Sequence, residues 1–203
     1  MKALWISLMV FITAAVTFAD KKSDSKYSPG PASSYSNKQT NDKVTVAVTA
    51  YDTEELAHTA FGKLNPNEFG VLPVLVIIQN DTDQALKFDI LEVDYTPING
   101  RHVEATPASD IQVLGGSPRP KMPGTPGSPI PLPHKKYKNP LNTVEIEGRA
   151  FSVKILPPHE SANGFFYFQT EHRPGAKFFL TGIKEAATGK DITFFEIPID
   201  YHR

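Results

Sequence analysis

His159-Glu160-Ser161-Ala162-Asn163 is the nearest approach in this chain to a metalloprotease helix. That chemistry needs a second histidine four residues on, so that both ring nitrogens reach one zinc ion from one helix face. Position 163 is asparagine, and Pro157-Pro158 with Gly164 bracket the stretch as a turn. Gly182 to Lys190 ends in Gly-Lys, as loops that cradle phosphate do. Six residues separate its glycines where four are required, and Asp191 puts a negative charge where a hydroxyl should hold magnesium. A hairpin turn at Thr188-Gly189 explains the same residues. Ser23-Asp24-Ser25-Lys26 spells the S-x-x-K pattern of serine acylases, but its polar surroundings offer nothing to hold the serine rigidly beside the lysine.

Two looser groupings remain. Glu171-His172-Arg173 sets an acid, a base and a cation between two strands, and His102 with Glu104 shares one face of a hairpin arm. A hydrolase built on loops near His159, Glu171 and His172 is the alternative reading of function. It requires a histidine and a carboxylate to converge in a concave pocket. The histidines are otherwise dispersed, without ligand spacing, so no catalytic, cofactor-binding or metal-binding residue is assigned and no cofactor is expected.

Aromatic and basic residues give the first candidates for partner contact. Phe165-Phe166-Tyr167-Phe168, Phe178-Phe179 and Phe194-Phe195 would put aromatic rings on both faces of one sheet. One face fills a core, and the other needs a helix, a loop or a partner to cover it. Phe166, Phe168, Phe179 and Phe195 are the contact candidates from this set. Residues 115–140 hold eight prolines and four glycines, a density that neither helix nor sheet survives. Within them Arg119, Lys121, Lys135, Lys136 and Lys138 stand without an acid, as a basic polyproline-type loop that could meet an anionic polymer or an aromatic groove.

The elements that must position these groups read as β. Val44, Val46 and Val48 alternate with smaller residues as a half-buried strand. Asp52-Thr53-Glu54-Glu55 opens a short helix over 53–61, with Asp52 as cap and Gly62 as its left-handed stop. Val71 to Gln79 is apolar on both faces and reads as a central strand. Asn80-Asp81-Thr82-Asp83 turns the chain. Residues 85–88 and 90–98 follow as strands, and Asn99-Gly100 signals a hairpin. Residues 151–155, 165–170, 177–184 and 191–199 carry four more strand signals, with Pro198 marking an edge.

Residues 1–19 carry a positive start, an apolar run from Ala3 to Phe18 and small residues at Thr17 and Ala19. This is a signal peptide of an exported chain, periplasmic or secreted; the alternative is an inner-membrane anchor through residues 3–19. Residues 20–42 read as a disordered linker and 43–203 as the domain, interrupted by the proline-rich loop at 115–148. The chain has no cysteine, so its core alone holds it together, which suits a bacterial envelope. A net charge of -1 offers no field for nucleic acid.

Ala60-Phe61-Gly62-Lys63, Phe69-Gly70-Val71-Leu72-Pro73-Val74 leading to Ile78-Gln79-Asn80, and Leu156-Pro157-Pro158 leading to Gly164-Phe165-Phe166-Tyr167-Phe168 form a recognisable set. Together they resemble uncharacterised bacterial secreted and envelope proteins with an immunoglobulin-like domain. The resemblance covers roughly residues 44–105 and 149–199 and transfers no catalytic or ligand-binding residue. Short strands separated by turns lead to the same fold class: all-β, an immunoglobulin-like antiparallel β-sandwich with one short helix. The expected function is that of an exported, non-enzymatic module that binds an envelope protein or an anionic surface polymer, with no membrane span after signal cleavage.

Overall fold

Two positive-φ residues in a row start the sheet. Asp42 and Lys43 have φ of 47° and 61° and join β1 (Lys38–Asn41) to β2 (Val44–Ala50), with Asn41 opposite Val44. A two-residue turn of this hand matches the twist of the strands it joins. The computed structural model describes residues 27–114 and 139–200. Within them the chain is mostly β, with three antiparallel sheets and three short α-helices.

After β2 come α1 (Glu54–Phe61), β3 (Leu72–Asn80), β4 (Leu86–Lys87), β5 (Glu92–Thr96), β6 (Val103–Glu104) and α2 (Ala108–Leu114). Then follow α3 (Val144–Gly148), β7 (Ile155–Leu156), β8 (Ser161–Phe168), β9 (Lys177–Thr181), β10 (Lys184–Glu185) and β11 (Phe195–Pro198). The first sheet runs β1-β2-β3-β8, the second β10-β4-β7 and the third β11-β9-β5-β6.

The apolar run at 71–79 is the centre of the first sheet, as its composition requires, and every residue of β3 except Gln79 is buried. One face of this sheet (Val46, Val48, Val74, Val76, Phe168) meets Leu86, Val93, Phe178, Leu180 and Ile197 of the other two sheets in one core. Its opposite face (Ala47, Leu75, Ile77, Phe165, Tyr167) meets Ala60 and Phe61 of α1, Ile111 of α2, Ile146 of α3 and Leu141 in a second core. Helices therefore form a third layer, and the short helix expected at 53–61 is one of three.

Several local expectations change. Residues 27–42 are ordered rather than a linker: Tyr27 and Tyr35 pack on the second core, Ala32 is buried and β1 pairs with β2. Two tyrosines and a backbone ladder supply what polar composition alone does not. Thr53, not Asp52, caps α1: the Leu56 N–H donates to its Oγ1 at 3.3 Å. Gly62 ends the helix at a positive φ of 66°, but its ψ of -116° is not the left-handed conformation expected of it. The strand signal at 151–155 survives only as the two-residue β7. Asn99-Gly100 closes a longer connection, in which the Gly100 N–H donates to Pro97 O, before β6 pairs with β5. Residues 108–114 and 144–148, the second inside the stretch read as loop, are helical.

Asn80 leaves β3 fully buried. Its Nδ2 donates to Gln84 O at 2.8 Å and Pro157 O at 2.9 Å, and Thr82 donates to its Oδ1 through N–H and Oγ1. One side chain thus satisfies the backbone where three segments meet. Pro198 lies on the edge strand β11, where a missing donor is tolerated. Gln39 Oε1 accepts from the Glu196 N–H of that strand, and Asn41 Nδ2 donates to Phe194 O. Among the described residues no helix is long and apolar enough to cross a membrane. Residues 1–26, with the leader signal, lie outside them, as do residues 115–138.

Candidate functional site

The aromatic face that required cover has it from within the chain. Phe165 and Tyr167 are 1% exposed beneath the helices. Phe168 and Phe195, expected as partner contacts, point the other way into the inter-sheet core and are 0% exposed, so neither offers surface to a partner. Phe166 is partly buried and stacks on Phe151 with ring centroids 5.4 Å apart. Phe179 also keeps an outward place, half-buried against the exposed Phe194 at 5.5 Å. Arg119, Lys121, Lys135, Lys136 and Lys138 lie outside the described residues.

The groups named for a hydrolase do not converge. His159 precedes β8 and His172 follows it, so about 27 Å of extended chain separates them. His159 sits 3.3 Å from Asp83 in an exposed pair, and His102 Nδ1 lies 3.1 Å from Thr96 Oγ1 at the surface. Glu171 is exposed. His172 is buried and belongs to a chain of hydrogen bonds. Its Nε2 donates to Asp200 O at 3.0 Å, so in the neutral ring Nδ1 accepts from Tyr95 Oη at 3.0 Å. The Arg173 N–H in turn donates to Tyr95 Oη at 2.8 Å. Asp52 lies 4.0 Å from Nε2, its side chain 5% exposed. This network ties β5 to the chain's end and to the start of α1. It lines neither of the clefts described next.

Both clefts flank the outer edge of β8. Residues 149–151 run along that edge, with the Phe165 N–H donating to Arg149 O at 2.8 Å and the Phe151 N–H donating to Phe165 O at 3.0 Å. Nearer the end of β8, the Thr106 N–H donates to Tyr167 O at 2.7 Å. Gly164 permits this approach: a Cβ there would lie 2.5 Å from Phe151 Cα.

The larger cleft, about 510 Å³, lies between β8 and the β5–β6 pair. Phe151 and Phe166 line it together with Glu92, Asp94 and Glu104. Asp94 and Glu104 are register partners on neighbouring strands. Like charges placed opposite one another destabilise a sheet. None of the three carboxylates forms an ion pair among the described residues. The sequence holds a trace of this site in Glu104, on one face of a hairpin arm with His102. Glu92 and Asp94 carry no local signal, because only the pairing of β5 with β6 brings them beside it.

The smaller cleft, about 380 Å³, lies on the other side of residues 149–152 and is lined by Arg149, Tyr27, Glu145, Ser152, Asn163 and Gly164, among others. The Arg149 guanidinium carbon sits 4.7 Å from the Tyr27 ring centroid. Behind it the Tyr27 and Tyr51 hydroxyls share a hydrogen bond of 2.6 Å, and Tyr167 Oη donates to Ile146 O at 2.7 Å. Burial is the main reason that all three phenols titrate above the usual tyrosine range. For Tyr27 the hydrogen bond to Tyr51 adds to the effect, and the Arg149 charge opposes the rise at each of the three.

Among the described residues no group of three or more His, Cys, Asp or Glu side chains is arranged to hold a metal ion. No protein-family model matches the chain, and no curated protein matches it.

Proposed function

We propose that the chain is an exported, non-enzymatic binding module of immunoglobulin-like sandwich type, working in a bacterial envelope. Its ligand is a basic segment of another envelope protein, held in the cleft between β8 and the β5–β6 pair. One observation carries the reading. Glu92, Asp94 and Glu104 line one aromatic-walled cleft without an ion pair among the described residues, and two of them face each other in register. Retaining that repulsion in a sheet has a physical reason if a cation enters the site. A lysine or arginine stem would lie along Phe151 and Phe166 while its head meets the acids. The leader signal and the absence of cysteine support the location, and the motif stretches within 60–80 and 156–168 support the fold type.

Titration of the chain with a labelled lysine-leucine peptide, against its glutamate-leucine counterpart, tests the reading. The basic peptide is expected to bind with an affinity that falls as salt rises, and the double variant Asp94→Asn, Glu104→Gln to bind ~10-fold more weakly. Equal binding by the variant, or a preference for the acidic peptide, would overturn the reading. A preference for lipoteichoic acid over both peptides would favour an anionic polymer as ligand.

A further inference from the structure

We infer that the smaller cleft is a binding site for a small organic oxyanion, a carboxylate or phosphate, with Arg149 as its anchor. The inference is independent of the acidic cleft, from which residues 149–152 separate it.

Arg149 Nη1 is buried and makes no hydrogen bond, one of only two such side-chain atoms among the described residues. Arg149 also forms no ion pair there. A guanidinium carries five N–H donors in a planar fork and always bears its charge. Leaving part of that fork dry and unpaired is costly, and native structures rarely do it without a reason. Position explains how the fork is held. The residue ends α3, where its N–H donates to Glu145 O, and its carbonyl accepts from Phe165 of β8. The side chain then stacks on Tyr27, which itself packs on Phe165 with ring centroids 5.7 Å apart. Both ends of the arginine are fixed, so little of its freedom remains to be lost when an anion arrives.

The surroundings suit an oxyanion attached to a small body. Ser152 and Asn163 add polar groups to the wall, Gly164 adds no side chain, and Tyr27 and Phe165 give an apolar side. Volume exceeds that of a bare ion. Glu145 is the one carboxylate on the lining, and it stands farther from Arg149 than an ion pair allows. It therefore repels an incoming anion mildly.

The test is a titration of the purified chain with sodium phosphate and, separately, sodium benzoate, at constant ionic strength, followed by nuclear magnetic resonance. The expected result is one saturable site of about millimolar affinity, with shifts at the Arg149 side chain and at the Ala150 and Gly164 amides. Tighter phosphate binding would mark a phosphoryl ligand, and tighter benzoate binding a carboxylate on an apolar body. Arg149→Lys keeps the charge without the fork and is expected to bind ~10-fold more weakly. Glu145→Gln is expected to bind more tightly. Ser152→Asp places a charge on an exposed wall position, leaves Arg149 intact and is expected to abolish binding, so it decides the matter should the arginine variant not fold. The inference is overturned if the wild type shows no saturable change with either anion, if the shifts map away from Arg149, or if Ser152→Asp binds as the wild type does.

Discussion

Replacing Gly164 with alanine adds one methyl group at the strip of β8 that both clefts share. That methyl would sit 2.5 Å from Phe151 Cα and 2.6 Å from Phe151 N, well inside van der Waals contact. Phe151 cannot simply retreat. Its N–H donates to Phe165 O at 3.0 Å, the Phe165 N–H donates to Arg149 O at 2.8 Å, and its ring touches those of Phe166 and Phe88. A shift of about 1 Å would stretch both hydrogen bonds, each worth roughly 0.5–1.5 kcal/mol. It would also disturb a ring stack worth roughly 0.5–1.5 kcal/mol. The expected loss is about 2–4 kcal/mol, a large part of a domain's typical stability. Gly148→Ala is the control. It lies in α3, nothing comes within 4 Å of its added methyl, and it should leave stability unchanged or raise it by about 0.5–1 kcal/mol. Urea unfolding of both variants reads the difference as a shift in midpoint. If Gly164→Ala unfolds at the same midpoint as Gly148→Ala, the tight crossing of residues 149–151 over β8 is wrong, and both clefts go with it.

Asn80→Ala would remove four hydrogen bonds, to the Gln84 and Pro157 carbonyls and from the Thr82 N–H and Oγ1, each worth roughly 0.5–1.5 kcal/mol. A loss of about 3–5 kcal/mol in urea unfolding is expected, and a loss within that of an ordinary surface change would count against the network. Tyr27, Tyr51, Tyr95 and Tyr167 all have phenols raised above the ordinary value, chiefly by burial. The unfolded chain ionises them near pH 10 while the fold keeps them neutral, so their contribution is complete below about pH 10 and is lost as pH rises past it. Phenolate absorbance should therefore appear together with loss of structure on alkaline titration; ionisation of every tyrosine before any unfolding would contradict this. Glu104→Gln relieves the repulsion opposite Asp94 and should raise stability by about 0.2–1 kcal/mol at low salt, with the gain shrinking as salt rises. A fall in melting temperature would show that Glu104 has a partner that stabilises it.

The parts of the fold set by local rules could be read from residues alone. Val71 to Gln79 announces a strand covered on both faces, and Asn80 announces its exit. Gly62 ends α1, and Pro198 marks an edge. Where long-range pairing decides, the reading fails for identifiable reasons. A strand's faces alternate with a period of two, so Phe166 and Phe168 do share a face, but it is the one turned to the inter-sheet core. The outer face belongs to Phe165 and Tyr167, and nothing local distinguishes the two sets. Polar composition hid β1, whose order comes from its pairing with β2 and from two docked tyrosines. The short helix at 144–148 was hidden by the proline-rich stretch before it. Neither cleft has a local signature: Glu92 and Asp94 come beside Glu104 only once β5 pairs with β6, and Arg149 meets Tyr27 only once residues 149–151 lie along β8.

Mapping the lysine-leucine peptide onto the chain by amide chemical shifts tests the central proposal most directly. The expected result is saturable shifts centred on Asp94, Glu104, Phe151 and Phe166, with an affinity that falls as salt is added and is ~10-fold weaker in the Asp94→Asn, Glu104→Gln pair. Shifts centred instead on the outward Phe179–Phe194 pair, or no saturable shift at all, would contradict it.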